Sequence, residues 1–171
     1  MGFPTNNTYL TATGTSVPLK PNVGTPGLLY DASEGNEIVS WIATTAIPFG
    51  AFIYMSSDGF CSVPALTGSV TAPNAAQRGI AISDHNKYSG EGYDIGDAVR
   101  VLRRGRIWVL TDAAANILYS STLFVRFAAG AGGAVLGSFR TDADTATASS
   151  PPVAMSVFHG GGVGQCVVDL S

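Results

Sequence analysis

Apolar and polar residues alternate along this chain in short runs, and glycine, proline or small polar clusters interrupt them every few positions. Residues 28–30 and 38–43 are β-prone runs on either side of the turn-rich stretch 31–36. Residues 51–55 and 60–63 flank Ser56-Ser57-Asp58-Gly59, and Asp-Gly between two apolar runs is a strong short-range hairpin signal. Ile80 and Ile82 alternate with Ala81 and Ser83. Residues 98–103 and 106–110 flank Arg104-Gly105, which predicts a second tight hairpin. Leu123, Val125 and Phe127 share one face of a further strand, and residues 135–139 make another. At the end, Cys166, Val168 and Leu170 face one way and Gln165 and Asp169 the other, the pattern of a half-buried strand.

Helical periodicity is poor. No window longer than ten residues carries apolar residues at helical spacing, and residues 112–120 are expected to make at most two turns, with Asp112 as N-cap. About ten short strands at regular spacing predict an all-β fold, a single compact β-barrel or sandwich-like domain over residues 28–171. Residues 1–27 read differently. They contain no acidic residue, one lysine (Lys20) and four prolines (Pro4, Pro18, Pro21 and Pro26). Proline fixes φ and biases its predecessor toward extended backbone. An extended N-terminal arm is expected there, with Phe3, Tyr9, Leu10 and Leu19 as its docking side chains.

Composition narrows the function classes. At 46% hydrophobic and 12% charged residues the chain is too apolar for disorder, and its surface is cheap to desolvate against a partner. A net charge of −3 gives no electrostatic reason to expect nucleic acid. Residues 1–10 lack the basic start and apolar core of a signal peptide. Two stretches, 38–57 and 145–168, hold no Asp, Glu, Lys or Arg. Pro48 and Gly50 break the first, while Pro151, Pro152 and the glycines at 160–162 break the second, so no membrane segment is expected.

Candidate chemistry is sparse. His159-Gly160-Gly161-Gly162 has the look of an esterase oxyanion loop, but no serine carries glycine at both −2 and +2, as a nucleophile elbow requires. No phosphate-binding glycine motif occurs. Glu91, Asp94 and Asp97 are a weak calcium candidate, and Asp142 with Asp144 read as a solvated loop. Cys61 and Cys166 would need His85 and His159 to make a zinc site; buried free thiols are the plainer reading. No catalytic residue, metal or cofactor is expected. The densest charge feature is Arg100, Arg103, Arg104 and Arg106, four of nine basic residues within seven positions. A solvated hairpin tip, carboxylate pairing across an interface, and nucleic-acid contact are its three readings. Trp41, Trp108 and the tyrosines belong either to a core or to a sugar-stacking surface.

Several motifs together carry a resemblance. They are Ala46-Ile47-Pro48-Phe49-Gly50, Arg78-Gly79-Ile80-Ala81-Ile82, and Gly96-Asp97-Ala98-Val99 leading into residues 101–109. Leu123-Phe124-Val125-Arg126, a glycine-rich loop and residues 137–144 follow. In this order, across residues 38–171, the chain resembles the structural cement (capsid decoration) proteins of tailed phages. It departs from them at Tyr119-Ser120-Ser121-Thr122, where such proteins often have a Gly-Asp turn. The resemblance implies a β-rich structural protein and not an enzyme, usually a homotrimer, made in the host cytoplasm and carried on the virion. It implies binding to the major capsid protein on the outer capsid surface, at capsomer junctions, to hold the head against internal DNA pressure. Candidate interface residues are then Phe3, Tyr9, Leu10 and Leu19 of the arm, with Arg100, Arg103, Arg104 and Arg106. A receptor- or glycan-binding β module of a phage tail fibre is the alternative.

Overall fold

The computed structural model describes residues 8–10, 16–18, 25–31, 35–64, 78–84, 86–87, 92–112, 116–128, 135–142, 148–149, 155–160, 162–163 and 165–170. Among these residues every regular element is a strand, as the alternation predicts. In chain order they are β1 (Thr8–Leu10), β2 (Ser16–Pro18), β3 (Glu37–Ala43), β4 (Ile47–Pro48), β5 (Phe52–Ser57) and β6 (Phe60–Ser62). Next come β7 (Arg78–Ala81), β8 (Gly92–Tyr93), β9 (Ala98–Leu110), β10 (Asn116–Ile117) and β11 (Phe124–Arg126). The last are β12 (Phe139–Arg140), β13 (Ala148–Ser149), β14 (Met155–Gly160), β15 (Gly162–Val163) and β16 (Gln165–Leu170).

A closed barrel lies at the centre. β9 pairs with β3, β3 with β6, β6 with β5, β5 with β7, and β7 returns to β9, so the five strands complete a ring. All of these pairings are antiparallel except β3–β6. Ring closure removes sheet edges, which would otherwise offer unpaired backbone groups to other chains. The far half of β9 pairs with β16, and β16 with β14, which extends the sheet beyond the barrel.

Alternation along the wall strands builds two cores. Trp41, Ala43, Ile53, Cys61, Ala81, Val99 and Val101 point into the barrel, where Phe49 and Tyr93 join them. Phe52, Ile80, Ile82 and Leu102 point the other way, into a second cluster with Ile107, Val109, Ile117, Val125, Phe139, Cys166 and Val168. Adjacent residues such as Val101 and Leu102 thus serve different cores. Burying each such side chain contributes about 1.5–3 kcal/mol.

Three local expectations change. Residues 98–110 form one thirteen-residue strand, not a tight hairpin at Arg104-Gly105. Glu37 opposes Arg104 while Ile38 opposes Leu102, which leaves Arg103 as the extra residue of a β-bulge. Gly105, at φ 124°, lets the strand bend there and pass from β3 to β16. Each half pairs with other strands and not with the other half, so the glycine marks a bend beside the bulge instead of a turn. The helical turns expected at 112–120 are absent among the described residues: Asn116–Ile117 is a strand paired with β15, and Ile117 is fully buried. Asp112 Oδ2 meets Arg126. Residues 135–138 form a turn with Gly137 at φ 81°, and only Phe139–Arg140 of that segment is strand.

Candidate interaction surfaces

The arginine-rich stretch does not form a single positive tip. Arg106 Nε donates to Asp169 Oδ2 at 2.9 Å and its Nη1 reaches Asp31 Oδ2 at 3.4 Å. The guanidinium carbon also stacks 3.8 Å from the ring centroid of Phe158. The Asp169 hydrogen bond, above all, raises the pKa of Arg106 further. Arg103 Nη1 pairs with Glu37 Oε1 at 2.8 Å, an exposed bridge worth at most about 1 kcal/mol. Arg100 and Arg104 are exposed and make no ion pair among the described residues.

Arg106 instead closes a clasp over residues 25–31. Gly27 N donates to Trp108 O at 2.7 Å, Trp108 N to Leu28 O at 3.0 Å, and Tyr30 N to Arg106 O at 2.9 Å. Tyr30 meets Phe158 edge-on with centroids 5.2 Å apart. Gly27 and Gly50 approach back to back at this point. A Cβ on Gly50 would lie 2.8 Å from Gly27 N and 2.7 Å from Leu110 N, so the final glycine of Ala46-Ile47-Pro48-Phe49-Gly50 is a packing requirement. Of the expected arm residues, Phe3 and Leu19 lie outside the described residues. Tyr9 and Leu10 belong to β1, whose antiparallel partner is β2, with Tyr9 opposite Val17 and Leu10 opposite Ser16.

One buried charge was invisible to the sequence pattern. Arg126 is 1% exposed, and its Nε donates to Asp112 Oδ2 at 2.7 Å; Arg140 Nη1 approaches the same oxygen at 3.4 Å. Alternation along β11 puts Arg126 opposite to the Leu123 and Val125 face, where solvent was the natural expectation.

The remaining candidates separate. Cys61 lies in the barrel core and Cys166 in the second core, both as free thiols, and burial pushes them up to about 11 and about 12. His85 lies outside the described residues. Asp97 accepts from Asp94 N at 2.6 Å and pairs with Lys87, whose hydrogen bond holds the carboxylate below its ordinary range. Glu91 and Asp144 lie outside the described residues, and Asp142 pairs with Arg140. Trp41 and Trp108 are 7% and 6% exposed, which places them in packing and not on a sugar-stacking surface. A hollow of about 460 Å³ opens beside β4 and β8, lined mainly by apolar residues such as Ile47, Val63 and Leu136.

Comparison with known proteins follows the same architecture. No curated protein matches the chain. A solved chain from "The capsid of Myoviridae Phage XM1" aligns over 86% of this chain and 89% of its own, with TM-score 0.67 and 14% identity, a likeness of fold. The family profile described as "Structural cement protein (E217 gp24/Pam3 gp6)" matches residues 13–170. That range takes in the barrel, the Arg106 clasp and the Arg126 pair, and the chain belongs to the phage structural cement protein family.

Proposed function

We propose that this protein binds the outer surface of a phage capsid at junctions between capsomers and strengthens the head against the outward pressure of packaged DNA. The family match over residues 13–170 carries this reading. The architecture is consistent with a mechanical role: a closed ring, a second core welded to its wall, and a surface low in charge. A homotrimer would engage the major capsid protein through three copies of one modest contact, so that linked weak contacts reinforce one another. Residues 1–24 would act as an arm, with Phe3, Tyr9, Leu10 and Leu19 supplying apolar contacts and the clasp at 25–31 transmitting the load to the barrel.

The test uses heads that lack this protein. Adding the purified chain should raise the temperature at which filled heads rupture, and a chain without residues 1–24 should fold but protect less. Unchanged rupture temperature at saturating full-length protein would contradict the cement role. Native mass measurement should give about three times 17.5 kDa for the trimer.

A further inference from the structure

The outer face of the barrel is only partly covered. Phe52, Ile80, Ile82 and Leu102 project outward from the β5–β7–β9 side and are sealed beneath the second core. On β3 the inward residues Trp41 and Ala43 are buried, whereas Ile38, Ser40 and Ile42 face out. Ile38 and Ile42 are each 39% exposed. Phe60, 44% exposed, sits opposite Ile42 in the parallel β3–β6 pair. Ala98 and Arg100, both exposed, oppose Ile42 and Ser40 from β9. A sheet face turned to water ordinarily alternates apolar in and polar out. Here the β3 pattern is apolar on both sides.

Charge defines what fits. Arg100 stands within the apolar strip, and Arg104 stands at its rim; neither has an ion pair among the described residues. Glu37, opposite Arg104, is occupied by Arg103, and exposed Asp58 lies in the turn before Phe60, at the β6 end of the strip. Among Ile38, Ser40, Ile42, Phe60, Ala98 and Arg100, the arginine is the charged residue, so the strip itself carries positive charge on a chain of net charge −3. The geometry points to the β3–β6 face as a docking surface for a protein patch that presents apolar side chains flanked by carboxylates, and this rests on the capsid-binding reading above, with the shell as that partner. One edge of β3 is paired with β9 along Glu37–Ile42, and at Ile42 and Ala43 the other edge is paired with β6, so at the Ile42–Phe60 end recognition runs through side chains and not through strand addition. Stacking this face on a second copy of itself would bring together two strips that each carry an arginine and no carboxylate of their own, which disfavours a second copy as occupant.

The experiment compares Ile42→Asp, Arg100→Glu and a control, Leu118→Asp at an exposed turn residue, for binding to heads that lack the protein. Near-ultraviolet circular dichroism and melting temperature verify that each variant is folded. Ile42→Asp and Arg100→Glu should each weaken binding about tenfold or more, while Leu118→Asp stays near wild type. Wild-type protein that fails to bind heads would remove the capsid reading itself. Wild-type binding with equal binding by both face variants would overturn this inference alone. A shift in oligomeric state in the face variants would reassign the face to a contact between copies. A loss that vanishes in the chain lacking residues 1–24 would reassign it to the arm. Either result overturns the shell as occupant.

Discussion

Arg126 and Asp112 show how much one residue pair can hold. The guanidinium is almost fully buried, and Asp112 Oδ2, 2.7 Å from its Nε, also faces Arg140. Removing one hydrogen-bonded carboxylate from a buried guanidinium costs about 1–3 kcal/mol, more than an exposed bridge such as Arg103–Glu37 contributes. Asp112→Ala is expected to destabilise the fold by about that amount in urea unfolding, and Arg126→Met in the same chain should recover part of the loss. The two cysteines give a second residue-scale expectation. The thiolate is the reactive form, and burial raises both thiols to about 11 and about 12, so ionisation at pH 8 is negligible. A thiol reagent at that pH should modify neither residue in folded protein and both after denaturation. Buried thiols were legible from the absence of close Cys or His pairs. The buried arginine was not, because Asp112, which holds it, lies on another segment of the chain and alternation along β11 carries no trace of that pairing.

At the scale of elements, β9 is where local and tertiary signals conflict. Arg104-Gly105 has the composition of a turn, yet the segments on either side pair with β3, β7 and β16 instead of with each other. A sequence window sees the glycine but not the competing strands. By contrast, the Asp58-Gly59 hairpin was legible, since β5 and β6 are adjacent in sequence and also in the sheet. Gly105 links the bend to the clasp. A Cβ at that position would collide with the Asn36 side chain, whose Nδ2 donates to Asp31 O at 3.0 Å, and Asp31 in turn holds Arg106. Gly105→Ala should therefore cost on the order of 1–3 kcal/mol from the φ 124° backbone. It should also speed proteolytic cleavage near residues 25–31, which protection assays would detect. Wild-type stability and an intact clasp in that variant would show that the bend does not couple the two.

For the whole molecule, short alternating runs were enough to specify an all-β domain, because period-two patterning and frequent turns leave few other architectures. A barrel was one of the two expected forms, but which strands close the ring and the two-core arrangement were not legible. Both depend on which face of each wall strand meets which layer, and apolar residues on both faces leave that open. The interaction surface was legible only in part. The arginine cluster drew notice as a unit, but bulge geometry gives Arg103 and Arg106 to internal carboxylates and leaves Arg100 and Arg104 outward. The central claim is that this fold works as a clamp on a phage head. It is tested most directly by image reconstruction of heads before and after addition of the purified protein. The account predicts new density on the outer shell at capsomer junctions, in threefold clusters, with the β3–β6 face toward the shell. Density confined to the tail or to the inner surface, or none at saturating protein, would contradict it.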